Sequence, residues 1–147
     1  MRKEALVTFL LVEDDDDHAI LAERAIKKAR IVNAIDRVRD GVEAMDYLRG
    51  EGQFSGKKLP TVVLLDLNLP KKSGLEVLSE IRADEKLRSL PVVVLTTSGD
   101  DKDIASAYGY NVNSYLKKPL DFEQFHQMVS DLCLYWGVWN QPPTTEN

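Results

Sequence analysis

A single cysteine, two histidines and no long apolar run are what this chain of 147 residues offers least of. One cysteine, Cys133, can form no internal disulfide, which points to a reducing compartment, the cytoplasm. No apolar stretch approaches the roughly 20 residues that a membrane-spanning helix needs, so no membrane association is expected. The opening MRKEALVTFLLVEDD places charge before an apolar run, as an export signal would. That run is short and ends in acids instead of a small-residue cleavage site, so it is taken as a strand. The two histidines, His18 and His126, share no ligand spacing with each other or with Cys133. They are expected as solvated or packed side chains, and Cys133 as a small core residue.

Positive charge is also in deficit. Acids outnumber bases by 24 to 19, leaving a net charge of −5. A field of that sign does not draw nucleic acid or anionic lipid, so neither is expected as a partner. The stretch after the last periodic segment is too short for a DNA-binding module, and any output is expected to be read by another protein. The 44% hydrophobic and 29% charged content is ordinary for a globular chain. The length suits one domain, expected over residues 1–136. Residues 137–147 form a tail, partly disordered or interface-forming, with QPPTTEN from Gln141 as its disordered part.

Five apolar runs are present: Leu6 to Val12, Ala34 to Val38, Val62 to Leu65, Val92 to Leu95 and Val112 to Leu116. Three are nearly continuous in Val and Leu, as in strands buried on both faces of a parallel sheet. Helical spacing appears between them. Ala22, Ala25 and Ala29 share one face of a first helix, Val42, Met45 and Leu48 one of a second, and Leu75, Leu78 and Ile81 one of a third. Ile104, Ala107 and Tyr108 mark a fourth, and Phe122, Phe125, Val129, Leu132 and Trp136 a fifth. Asp17, Asp121 and either Asp100 or Asp101 are candidate N-caps. Asp40-Gly41 marks a turn, and Gly50 to Lys58 a surface loop. Five β-α units imply an α/β fold, a doubly wound five-stranded parallel sheet with helices on both faces.

In such a sheet the C-terminal strand ends share one edge, where α/β proteins place ligands. The residues just past the runs are Glu13 and Asp14, Asp66, Thr96 and Lys118. Three carboxylates in one place raise each other's pKa unless a cation joins them. Oxygen ligands without nearby His or Cys suit a hard ion such as Mg²⁺, which takes one or two carboxylates together with water and phosphate oxygens. One carboxylate is then left to attack a phosphoryl group, with Lys118 and the Thr96 hydroxyl holding the added oxygens. Each residue alone has a plainer explanation. Asp15, Asp16 and Asp17 could serve only as caps and dipole compensation, Lys118 as a solvated loop charge, and Thr96 as a buried strand hydroxyl. The coincidence of four strand ends favours a site.

At these residues the chain resembles the receiver domains of response regulators. LLVEDD corresponds to the family's acidic pair, and VVLLDLNLPKKSG to its acceptor strand and loop with Asp66, Pro70 and Gly74. PVVVLTTS corresponds to the strand ending in the switch hydroxyl Thr96, and SYLKKP to the strand bearing Tyr115, Lys118 and Pro119. The likeness runs from about Thr8 to about Leu134. It implies a flavodoxin-like sheet of order 2-1-3-4-5 and Asp66 as phosphoacceptor. It further implies Mg²⁺ held by Glu13, Asp14, Asp66 and the Asn68 carbonyl, Tyr115 as an aromatic switch and Pro119 prone to the cis form. The implied reaction is transfer from a histidine kinase's phosphohistidine to Asp66, with only self-phosphotransfer and slow autodephosphorylation and no activity toward other substrates. Thr97 departs from the smaller residue many receivers carry there, which with Asn68 and Ser98 bears on the lifetime of the phosphorylated state.

LNLPKKSG, the long loop and the ending LYWGVWNQPP resemble more narrowly the single-domain receivers that partner phytochrome-type kinases, bacteriophytochromes among them. The output face implied is the fourth helix, fifth strand and fifth helix. Tyr135, Trp136 and Trp139 could pack into the core, or could join that face in a homodimer or on a downstream protein target. Two rivals remain. A Mg²⁺-dependent aspartyl phosphatase usually carries a second acid two residues after its nucleophile, where this chain has Asn68. A receiver-like interaction module that is never phosphorylated would not need the full set of site residues.

Overall fold

Val- and Leu-rich runs alternating with amphipathic segments have one economical solution, a sheet sandwiched by helices, and the chain adopts it. The structure, a computed structural model, describes residues 7–30 and 34–140. Its strands are β1 (Thr8–Val12), β2 (Ala34–Val38), β3 (Val62–Leu65), β4 (Val92–Thr96) and β5 (Ser114–Lys117). All pair in parallel, in the order β2-β1-β3-β4-β5. The helices are α1 (Asp16–Ala29), α2 (Gly41–Arg49), α3 (Gly74–Ala83), α4 (Asp101–Gly109) and α5 (Phe122–Leu134). A 3-10 turn (Gly52–Phe54) and a π-helical turn (Tyr135–Trp139) are the remaining helical elements among the described residues. The flavodoxin-like fold expected from the sequence is the fold observed.

Strand periodicity divides the core in two. Phe9, Leu11, Val62, Leu64, Val93 and Leu95 meet Ala22, Ala25 and Ile26 of α1 and Phe125, Val129 and Cys133 of α5. Leu10, Val12, Val63, Leu65, Val92 and Val94 pack on the other face against Met45, Leu78, Ile81 and Ala107 from α2, α3 and α4. The apolar residues of β1, β3 and β4 are therefore all consumed by a sheet covered on both sides.

Several local expectations shift. Asp15, not Asp17, caps α1, accepting from the Asp17 and His18 amides at 2.9 and 3.1 Å. Its extended backbone (ψ 115) turns its carboxylate back over the helix start. Asp121 and Asp100 cap α5 and α4 as expected. β5 begins at Ser114, not Val112, because Asn113 takes the ladder position beside Val92. Its amide donates to the Val92 carbonyl at 2.9 Å, and its side-chain oxygen accepts from the Val92 amide at 2.9 Å. Val42, Tyr108 and Phe122 are exposed despite their helical spacing. Each lies in the first or last turn of its helix. Trp136 is only 5% exposed and joins the α1–α5 core, whereas Trp139 is 71% exposed. Burial pushes the Cys133 thiol up to about 11, as befits a core residue. Leu6 and the Gln141–Asn147 tail lie outside the described residues.

Candidate functional site

Register builds the site. Val12 is level with both Val38 and Leu65, and Thr96 with Lys117. The ladder continues past each end, with the Glu13 amide on the Val38 carbonyl (3.1 Å), Asp66 on Val12 (3.1 Å) and Lys118 on Thr96 (2.7 Å). Backbone bonds thus fix the Cα positions of all three residues before any side chain contributes. Among the described residues five polar side chains are buried, and four of them, Glu13, Asp66, Thr96 and Lys118, stand at these strand ends, the fifth being the α2 cap Asp40.

Glu13, Asp14 and Asp66 each bring a carboxylate oxygen within 4.8 Å of the other two, with Asp14 the exposed member. The Lys118 ammonium bonds to Glu13 Oε1, to Asp66 Oδ2 at 3.1 Å and to His18 Nδ1 at 3.0 Å. The second Asp66 oxygen accepts from the Asn68 amide at 3.2 Å. Burial pushes Glu13 up to about 7, opposed by the Lys118 hydrogen bond and charge and reinforced by the nearby Asp66. One ammonium for three acids leaves the cluster short of positive charge. An all-oxygen donor set with that deficit fits a hard divalent cation.

Thr96 is fully buried at the end of β4, and its hydroxyl oxygen accepts from the Ser98 amide at 3.4 Å. Tyr115, half-buried on β5, donates its hydroxyl to the Ser98 carbonyl at 2.8 Å, and burial raises its pKa. The Ser98 hydroxyl in turn donates to Asp103 Oδ2 of α4 at 2.7 Å. Ser98 therefore joins Thr96, Tyr115 and α4. Beneath Asp66, a Cβ on Gly74 would fall 2.3 Å from the Asp66 carbonyl oxygen and 2.5 Å from Leu67 Cα, so the acceptor loop closes only over glycine. Pro70 lies exposed in that loop, with its carbonyl accepting from the Gly41 and Lys72 amides. The Lys118–Pro119 bond is trans, the isomer X–Pro bonds favour by about 0.5–1 kcal/mol, not cis.

Two features escaped the sequence. His18 lies at the third position of α1, where helical Cβ direction sends the side chain back toward the strand ends. Counting from the true cap, Asp15, would have exposed this. The links from Ser98 to Thr96 and Tyr115 have no residue-type signal, because they run through its backbone amide and carbonyl, and only the bond to Asp103 uses its hydroxyl. Asp16 pairs with Arg37 and Arg39 at 2.9 and 2.8 Å, and Asp15 caps, so both remain outside the acid cluster.

Residues 9–130 match the family described as the response regulator receiver domain. The chain belongs to that family. The "Probable methanogenesis regulatory protein FilR2" of Methanothrix harundinacea is 51% identical over 135 residues, covering 91% of this chain and 86% of its own length. Response regulator Rcp1 of Synechocystis is 39% identical over 127 residues, covering 86% of each chain. A crystal structure of Rcp1 in its Mn²⁺-bound form has a TM-score of 0.90 at 37% identity, covering 94% of this chain and 99% of that one. The phosphorylated cyanobacterial phytochrome response regulator RcpA gives a TM-score of 0.91 at 40% identity, with 95% and 100% covered. The receiver is thus similar to phytochrome response regulators, as its motifs suggested. Among its described residues no helix is long and apolar enough to cross a membrane.

Proposed function

We propose that this receiver accepts a phosphoryl group on Asp66 from the phosphohistidine of a histidine kinase, and that the kinase is phytochrome-type. The supporting observation is the Lys118–Asp66 contact at 3.1 Å inside a three-carboxylate cluster. An Asp66 oxygen forms the new O–P bond as the N–P bond of the donor breaks, its electron pair leaving on the donor imidazole. Mg²⁺, held by Glu13, Asp14, Asp66 and the Asn68 carbonyl, supplies charge neutralisation at the phosphoryl oxygens. Lys118 stays beside Asp66 and donates to one of those oxygens. The Thr96 hydroxyl turns its proton toward another, since the arriving group adds close to two negative charges.

Thr96 reorienting disturbs the Ser98 amide it accepts from, and with it the Ser98 carbonyl that holds Tyr115. Tyr115 and α4 respond together, so the signal leaves through the face made by α4, β5 and α5. That face meets a downstream protein target in the cytoplasm, not nucleic acid or membrane. The domain closes at Trp136, and exposed Tyr135 and Trp139 extend the face toward a second copy in a homodimer. The chain acts as a phosphoacceptor switch, not as a phosphatase for other substrates, because Asn68 supplies no second acid after Asp66.

Incubation with a small acyl phosphate and Mg²⁺, followed by intact mass measurement, tests the acceptor. A gain of one phosphoryl group, absent in Asp66→Asn, is expected. No gain in the unaltered protein would instead favour an interaction module that is never phosphorylated. Phosphotransfer profiling against histidine kinases of the same genome tests the partner.

A further inference from the structure

Lys118 is buried, and an ammonium has three N–H bonds and no lone pair. Two of its partners are acids, Glu13 and Asp66. The third is His18 Nδ1 at 3.0 Å, from the first turn of α1. Because an ammonium can only donate, Nδ1 must offer its lone pair, which places the ring proton on Nε2. The acid oxygen beside Nδ1, Asp15 Oδ2, is 3.9 Å away and beyond hydrogen-bonding range, so Nδ1 has no acid to donate to there. From α5, the Phe125 ring stacks on the imidazole at 6.3 Å and 27°, which fixes its plane. The imidazole is thus held on one side by an aromatic ring and turned toward the ammonium on the other.

We propose that His18 is a positioning residue for Lys118, its neutral imidazole keeping the ammonium beside Asp66 when a cation claims the acids. A divalent ion on Glu13, Asp14 and Asp66 draws on the same carboxylates that Lys118 uses. Of the three Lys118 partners, His18 is the one outside the acid cluster, so its hydrogen bond persists. With that bond in place the ammonium keeps an N–H directed at the incoming phosphoryl oxygen. Without it, the flexible four-carbon stem is free to swing toward water. This inference rests on the phosphoacceptor function proposed above.

Two measurements on the full chain test it. Long-range ¹H–¹⁵N spectra of the imidazole rings in the metal-free protein should show His18 as the Nε2–H tautomer, with that preference lost in Lys118→Met. A tautomer mixture unchanged by Lys118→Met would overturn the proposal. With a small acyl phosphate and Mg²⁺, His18→Leu should slow phosphorylation roughly threefold to tenfold at an unchanged thermal midpoint, the scale of one partly exposed charge-assisted hydrogen bond. His18→Gln offers an amide oxygen and should stay within about twofold of the unaltered protein. Equal rates for the Leu and Gln variants would also overturn it. Should the unaltered chain accept no phosphoryl group, the acceptor function fails, while the ring spectra still decide the His18–Lys118 contact.

Discussion

The Tyr115 hydroxyl donates to the Ser98 carbonyl at 2.8 Å, joining β5 to the loop that leaves β4. The bond holds the aromatic switch candidate to the residue whose amide also reaches Thr96. Tyr115→Phe removes the donor and keeps the ring. A stability loss of about 0.5–1.5 kcal/mol is expected by urea denaturation. The initial rate of Asp66 phosphorylation should hardly change, whereas binding of a downstream target should lose its dependence on phosphorylation.

Lys118 is the counter-charge for two buried acids. Lys118→Met leaves them unpaired, and breaking a buried pair in this way costs about 3–5 kcal/mol. Thermal unfolding of the metal-free variant at pH 8 should show that loss. Millimolar Mg²⁺ should restore most of it, since the cation replaces the missing charge. A variant as stable as the parent without metal would contradict the electrostatics described here.

Glu13 gives the site its pH dependence. Burial raises its pKa from the ordinary 4.5 to about 7, so the folded chain binds this proton more tightly than the unfolded chain does. The stabilisation is fully present below pH 4.5 and is lost as pH rises through about 7. Metal-free protein should therefore lose stability between pH 5 and pH 8. Divalent-cation affinity should run the other way and gain about tenfold from pH 6 to pH 8, because the ligand must be deprotonated. Calorimetry at several pH values checks both trends, and Glu13→Gln should flatten them.

The two tryptophans should separate cleanly. Trp136→Ala empties a core site and should cost about 3–5 kcal/mol. Trp139→Ala should change monomer stability by less than about 0.5 kcal/mol. If Trp139 serves a homodimer, sedimentation of Trp139→Ala should show a smaller dimer fraction than the parent at the same concentration. Equal masses would remove it from any interface.

The alternation of apolar runs and helical segments determined the fold class and the common direction of the strands, because unbroken Val and Leu runs such as Val62 to Leu65 suit a sheet covered on both faces. The strand order followed from the family resemblance. Parallel strands then send Glu13, Asp66, Thr96 and Lys118 to one edge, so the site's main residues were legible from position alone. Helix ends were less legible. Four consecutive aspartates offer equivalent caps, and only the backbone turn at Asp15 selects one. Spacing marked Val42 and Phe122 as apolar-face residues, yet both lie in the first turn of their helices and are exposed. Tertiary structure alone decided that His18 meets Lys118 across 100 residues, and that Ser98 connects Thr96 to Tyr115. These contacts depend on side-chain direction and on backbone atoms that every residue type carries, and neither leaves a periodic trace in the chain.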